Sequence, residues 1–378
     1  MPEFKDKIGA AAGKVEFLYD PAQGIAVQIS GSSPGFFAMY IVAVSMDGKR
    51  LLSEVPATGI GVTPVYPQPS VITYIQSDEQ GMWGRNCPFC QKYFRTNHVM
   101  GITCCPYCAN EESGLAFVSK DQRTYITACY DAFARAYIQK KSTAVDFADI
   151  TDQTPAWHYS EEKQQFHFKC AEKDCGAETD ILGEYGYCPR CGRTNGRKLF
   201  TEKMNKMLAR VEDTEKTVSE PQPQGGIWEE MTKNCVSDFE ALANHLRTKL
   251  LRFPMTANRR KNVEELSFQR PLQADESLEQ WFDIGLLEWA GDETTPKRKM
   301  SPSESQFVTK MLQKRHILMH KGGIVDDDYL ARSGDTDVRL GERIGVRGWE
   351  VKRFVECLRM MGATFLDNVE FAFKEGDS

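Results

Sequence analysis

The sequence predicts a multidomain α+β protein: a β-rich N-terminal region, two cysteine-built modules flanking a helix, and an all-α helical bundle at the C-terminus. Three observations predict this. Short β-prone runs separated by turn formers fill residues 15–80. Paired cysteines crowd the stretch between residues 87 and 191. After residue 226, apolar residues recur at helical spacing in four successive segments. The length of 378 residues supports several domains, because one hydrophobic core rarely serves more than roughly 250–300 residues.

In the N-terminal region the runs GIAVQIS, FFAMYIVAVS and VITYIQS are separated by GSSPG, MDGK and PVYPQP, so residues 1–80 form a small β-rich domain. Residues 81–210 form a tandem cysteine region with an intervening helix over 121–141. Tyr125, Ala128, Cys129, Ala132, Phe133, Ala136 and Tyr137 line one face of that helix, which is expected to pack the two clusters together. Residues 211–226, VEDTEKTVSEPQPQGG, are polar, contain Pro and Gly and lack apolar periodicity, which predicts a linker. Residues 227–378 form the bundle, with helices over 228–251, 277–290, 303–320 and 349–373. Ser301 or Ser303 caps the third, and Gly322-Gly323 ends it. Trp228, Trp281, Trp289 and Trp349 are assigned to the bundle core or a dimer interface.

Composition narrows the functional classes. Hydrophobic residues at 41% and charged residues at 26% are too balanced for a disordered chain. The net charge of −6, from 47 Lys+Arg against 53 Asp+Glu, excludes a protein that coats DNA, so any nucleic-acid contact is a local patch. The longest apolar stretch, residues 36–46, is about half the ~20 residues a membrane helix needs. The first fourteen residues have no apolar signal core. The expectation is a cytoplasmic protein without a membrane partner. Its thiols would be reduced, so clustered cysteines point to metal rather than disulfides.

The first cluster is Cys87-Pro-Phe-Cys90 and Cys105-Pro-Tyr-Cys108; the second is Cys170 and Cys175 followed by Cys188-Pro-Arg-Cys191. A Cys-x2-Cys knuckle turns two thiolates toward one ion, and two knuckles complete a tetrahedral S4 shell. Both sets resemble zinc ribbons, each closed around one structural Zn2+, with no open position for catalysis. Cys104 competes with Cys105, but the spacing to Cys108 favours Cys105. His98 is read as a loop residue, and Cys104, Cys129, Cys235 and Cys357 are left without a role. Phe89, Lys92, Tyr93, Phe94 and Arg95 at the first site, and Arg190, Arg193, Arg197 and Lys198 beyond the second, offer a nucleic-acid-binding surface. A solvated charged face explains them equally well.

Six histidines occur, two of them in the stretch 314–323, KRHILMHKGG. His316 and His320 lie four apart on one helical face beside Arg315, at a helix end whose dipole favours positive charge. The aspartates of 326–337 do not fit an EF-hand and are read as a helix N-terminus followed by a turn. The segment Arg315-His316-x3-His320 closing a bundle helix resembles the signature of the HEPN superfamily, over roughly residues 227–375. The resemblance implies a C-terminal HEPN-like bundle and a metal-independent endoribonuclease in which Arg315, His316 and His320 are catalytic. In that mechanism His320 takes the 2′-OH proton, and a second His320 or a water protonates the leaving 5′-oxygen. Arg315 stabilises the phosphorane, giving a 2′,3′-cyclic phosphate and a 5′-OH. One motif per chain implies a homodimer through the bundle. The family context implies a bacterial antiviral defence, toxin or abortive-infection effector, with RNA as substrate and a regulatory or phage-derived protein as partner. The alternative is a non-catalytic ribbon-and-bundle module that binds nucleic acid or a protein partner.

Overall fold

The computed structural model describes residues 14–30, 39–45, 51–56, 70–76, 81–98, 101–112, 114–146, 149–150, 165–217, 224–289 and 298–376. The N-terminal turn segments 31–35, 46–49 and 64–69 lie outside them. The architecture is mixed α and β, and the chain falls into two compact units, Met1–Asn195 and Gly196–Ser378.

In the first unit, β1 (Lys14–Asp20) and β2 (Gly24–Ser30) form an antiparallel hairpin. The other edge of β1 pairs with β8 (Thr143–Asp146), a strand that follows the first cysteine cluster in sequence. The predicted boundary at residue 80 therefore does not enclose an independent domain: the free edge of β1 is completed from beyond it. A second sheet has β3 (Met39–Ser45) between β4 (Leu51–Pro56) and β5 (Ser70–Gln76).

Helix α1 (Lys120–Gln139) matches the helix expected over 121–141. Its start is set by a capping box: Gln122 N donates to Ser119 Oγ at 3.1 Å, and Ser119 N donates to Gln122 Oε1 at 3.2 Å. Lys140, in the left-handed region at φ 53°, ends it. Its buried face, Tyr125, Ile126, Cys129, Ala132 and Ala136, packs on Val15, Phe17 and Val145 of β1 and β8. The helix therefore covers a sheet instead of clamping the two cysteine clusters together. Those clusters join directly through one four-stranded sheet, ordered β6 (Trp83–Asn86), β7 (Tyr93–Thr96), β10 (Glu178–Leu182) and β9 (Gln165–Lys169).

The second unit is helical: α2 (Gly196–Thr217), α3 (Gln224–Leu250), α4 (Ala257–Glu264), α5 (Pro271–Phe282), α6 (Pro302–His320), α7 (Asp327–Ser333) and α8 (Gly348–Gly376). The predicted linker at 211–226 is helix at both ends: α2 continues to Thr217 and buries Val211, while α3 begins at Gln224. The division between units instead follows Asn195. The helix expected over 277–290 lies earlier, because Asp283 adopts φ 57° and stops α5. Residues 288–289 instead pair with 298–299 as β11 (Glu288–Trp289) and β12 (Arg298–Lys299).

Helix α8 is the central element, packing on α2, α3 and α6. Val351, Phe354, Val355, Leu358, Met361, Phe365, Leu366 and Val369 are buried along it at intervals of three and four, the stripe of a helix facing a core. Close approach to α2 requires a glycine: a Cβ at Gly362 would stand 2.3 Å from the Phe200 ring. Among the described residues no helix is long and apolar enough to cross a membrane.

Gly362→Val is therefore expected to lower the midpoint of thermal unfolding, at a cost of about 1–3 kcal/mol from overpacking. Gly226→Ala, in α3 with open space at its Cβ, should leave the midpoint unchanged or raise it. Equal midpoints for the two variants would contradict the packing of α2 on α8.

Candidate functional site

The two cysteine groups are built alike. In each, a strand leads into a knuckle, a second strand leaves it, and a later knuckle returns. Cys87 N donates to Lys92 O at 3.0 Å, as Cys170 N does to Ala177 O at 2.8 Å. Cys105 N donates to Asn110 O at 2.9 Å, as Cys188 N does to Arg193 O at 2.7 Å. The residue after each knuckle, Gln91, Ala109, Gly176 or Gly192, has φ between 54° and 70°. That left-handed step turns the chain back, and glycine performs it without strain at two of the four positions.

The second knuckles also pair with each other: Cys104 N donates to Pro189 O at 3.0 Å and Tyr187 N to Pro106 O at 2.9 Å. Cys104 and Tyr187 thus hold equivalent places, which settles the competition between Cys104 and Cys105. Cys104 belongs to the seam between modules, whereas Cys105 faces the thiol cluster. The four sulfurs of Cys87, Cys90, Cys105 and Cys108 lie within 4.8 Å of one another, as do those of Cys170, Cys175, Cys188 and Cys191.

Whether these thiols suit a metal is a question of geometry. The Cys87–Cys108 and Cys90–Cys105 sulfurs are 3.7 Å apart, and Cys170–Cys191 and Cys175–Cys188 are 3.5 Å apart. A disulfide needs about 2.05 Å, whereas a tetrahedral ion with sulfurs at ~2.3 Å separates them by roughly 3.8 Å. Each group is thus compatible with one structural metal ion. Donors already point at the sulfurs: Phe89 N to Cys87 Sγ at 3.4 Å, Tyr107 N to Cys105 Sγ at 3.4 Å and Asn110 Nδ2 to Cys108 Sγ at 3.2 Å. These stabilise thiolates. With protons in place of an ion, hydrogen bonding to Cys108, Cys87 and Cys90, followed by burial, pushes the Cys105 thiol up. His98 stands outside both groups, and so do Cys129, Cys235 and Cys357, buried thiols whose pKa is raised chiefly by burial.

A buried ion pair ties the modules together. Arg95 of β7 donates through Nη2 at 2.6 Å and Nε at 3.1 Å to Asp180 Oδ2 on β10, its register partner. His167 Nδ1 donates to the other carboxylate oxygen at 2.7 Å. Tyr107 Oη bridges the same two strands, donating to Tyr93 O at 2.7 Å and accepting from Leu182 N at 3.0 Å. The aromatic and basic surface expected here is consequently much reduced. Tyr93, Phe94 and Arg95 are buried, and Phe89 and Lys92 remain outside. Arg190 is held by Cys175 O at 2.5 Å and Arg193 by Glu172 at 2.9 Å.

The second candidate site is the end of α6. Ser301 is the cap: Glu304 N donates to Ser301 Oγ at 3.3 Å and Ser301 N to Glu304 Oε2 at 2.7 Å, with Pro302 in the first turn. Gly323 N closes the far end on Ile317 O at 2.9 Å, with Gly322 and Gly323 both at positive φ. Asp326 caps α7 through Tyr329 N at 2.8 Å, the role expected of the aspartate-rich segment. Lys310 then anchors α7 to α6 through Asp335 at 2.8 Å, and Asp335 accepts from Tyr329 Oη at 2.7 Å.

Gln313, Lys314 and Arg315 are consecutive and all buried. Lys314 is fully engaged, with Glu350 Oε1 at 2.8 Å and Gly345 O at 3.1 Å. Arg315 is not: Nη2 reaches Glu240 Oε2 only at 3.4 Å, and Nε is buried without a partner. His316 is partly buried and His320 exposed, with ring centroids 5.0 Å apart. Burial first, then the positive field of His320, Lys321, Arg332 and Arg315, holds the His316 imidazole below its usual range and so neutral near pH 7. The three residues singled out in the sequence lie in the last two turns of α6; the two rings adjoin, whereas Arg315 is turned to Glu240 of α3. The partners Glu240 and Glu350, 75 and 36 residues away, had no local signal. His245, fully buried on α3, is pushed down to about 3 chiefly by burial and is a neutral core residue.

No family model, no curated protein and no solved structure matches this chain.

The chain is expected to bind two metal ions, one per thiol group. By elemental analysis, Cys105→Ser and Cys188→Ser should each fall to one ion, while Cys104→Ser keeps both. Loss of an ion in Cys104→Ser would contradict its assignment to the seam.

Proposed function

We propose that the protein is a metal-independent endoribonuclease whose reaction centre is the end of α6, completed by a second copy of the chain, and that zinc occupies both thiol groups as a structural ion. The carrying observation is the under-satisfied guanidinium of Arg315. A buried cation with one contact at 3.4 Å and a partnerless Nε is costly to hold, and a phosphate oxygen is the anion its fork fits. The neighbouring Lys314 has no such deficit, so of these two buried cations only Arg315 is short of partners.

RNA carries its own nucleophile, so the protein has only to move protons and stabilise charge. His320, exposed on the terminal turn, takes the 2′-OH proton; the 2′-oxygen attacks phosphorus and the 5′-oxygen leaves with a proton from an acid. His316 positions this chemistry, since a neutral ring 5.0 Å away does not repel the proton His320 acquires. In an in-line displacement, attack and departure occur on opposite faces of phosphorus. Two rings on one face of α6 approach from the same side, so the acid comes from the second copy. Met319 and Ile324 support that assembly: both are large, apolar and exposed, within four residues of His320, and a second subunit would cover them. Glu240 keeps Arg315 oriented until phosphate displaces it. The ribbon sheet supplies no reacting group, because closed four-thiolate sites leave no position for substrate. A role in bacterial antiviral defence or toxicity, with a regulatory protein as partner, accords with an activity that must be held in check.

In EDTA, with zinc content monitored, the full-length protein is expected to cut single-stranded RNA. His320→Ala and Arg315→Ala should each reduce the rate by about 10²–10⁴-fold while remaining folded. The rate should fall on the acid side as His316 gains a proton, because a positive charge beside His320 opposes its protonation. RNA binding without cleavage, unchanged by either substitution, would instead establish a non-catalytic binding module.

A further inference from the structure

A cleft of about 320 Å3 opens one helical turn from His316. Gln269, Arg270 and Gln273 at the start of α5, Thr309 and Gln313 on α6, and Arg332 on α7 form its polar walls. Gln313 precedes His316 by three residues and so shares its side of α6. The charge on Arg332 is among those that hold His316 neutral, which places the cleft against the candidate reaction centre.

Several features of the cleft ask for a ligand. Gln313 is only 8% exposed, and it lines the cleft. The N-terminus of α5 also opens here, where the Arg270 side chain makes no capping hydrogen bond; the first-turn N–H groups of Leu272 and Gln273 have no intrahelical acceptor. Two guanidiniums lie nearby. Arg332 has an exposed ion pair, to Asp328 at 3.4 Å, and Arg270 also lines the cleft.

Cations and a helix N-terminus suit phosphate. Three carboxamides, each offering donor and acceptor side by side, suit the edge of a nucleobase. The volume is near the lower end for a small-molecule site, roughly 300–1,000 Å3, which fits one nucleotide and excludes a duplex. We propose that this cleft holds a single nucleotide of the RNA next to the bond being cut, with Arg332 and Arg270 on its phosphate and Gln313 on its base. Gln313 is then a specificity-determining residue. The proposal rests on the nuclease reading for its place in the reaction, but binding at the cleft is measurable without cleavage.

The experiment titrates the full-length protein with AMP, GMP, CMP, UMP and inorganic phosphate by calorimetry. At least one nucleotide is expected to bind ten-fold or more tightly than phosphate. Gln313→Ala and Gln313→Glu should both abolish that preference, and Arg332→Ala should weaken every ligand about ten-fold. His320→Ala, which lacks the reacting group, should bind as wild type does. No nucleotide binding, binding no tighter than phosphate, or affinities indifferent to Gln313 would each overturn the assignment. Arg270→Ala, on the rim, gives a second reading of the cleft should a Gln313 variant fail to fold. Nucleotide binding with this pattern in a protein that cuts no RNA would retain the cleft and sink the nuclease reading; cleavage with no nucleotide binding would do the reverse.

Discussion

Three consecutive polar side chains, Gln313, Lys314 and Arg315, are buried on α6, and what they require of their neighbours organises the C-terminal unit. A helix buries such groups only where partners meet them. Lys314 draws in Glu350 and Gly345 O, which fixes the start of α8 against α6. Arg315 draws in Glu240 of α3, but weakly. Gln313 lines a cleft. Lys314 is structural; Gln313 and Arg315 both precede His316, Gln313 lining the cleft and Arg315 holding a buried Nε without a partner. That contrast within three residues is why we propose the chemistry at this helix end.

The same rule, fully met, governs the first unit. Arg95 and Asp180 are both buried, and each would be costly alone. With His167 on the second carboxylate oxygen, the pair is satisfied on both sides of the seam, and the two thiol groups stand as halves of one sheet. Their equivalent hydrogen bonds, down to the exchange between Cys104 N and Pro189 O and between Tyr187 N and Pro106 O, describe a duplicated module. Each half is compatible with one metal ion, which would close loops that no large core could hold.

Local chemistry was legible in the sequence and long-range pairing was not. The knuckles follow from spacing and α1 and α6 from periodicity, while the structure chooses Ser301 over Ser303 as the cap of α6. The histidine–arginine end is legible for the same reason, since four residues make one helical turn. By contrast, β7 is buried on both faces, so Tyr93, Phe94 and Arg95 read as a surface stripe although they are core. The pairing of β1 with β8 and the ion pair between residues 95 and 180 span too much chain for any window to reveal. The continuation of α2 to Thr217 was hidden because its exposed face is polar and only Val211 marks the buried one. Gln313 looked like one more polar residue on a helix, and only its burial shows otherwise.

The most direct test of the central claim is the end-group chemistry of RNA cleaved by the purified protein in chelator, read by mass spectrometry. Transfer to the 2′-oxygen at the α6 centre leaves a 2′,3′-cyclic phosphate on one fragment and a 5′-hydroxyl on the other. It also leaves uncut any position whose ribose lacks the 2′-OH. Fragments ending in 3′-hydroxyl and 5′-phosphate, or equal cutting at 2′-deoxy positions, would contradict it.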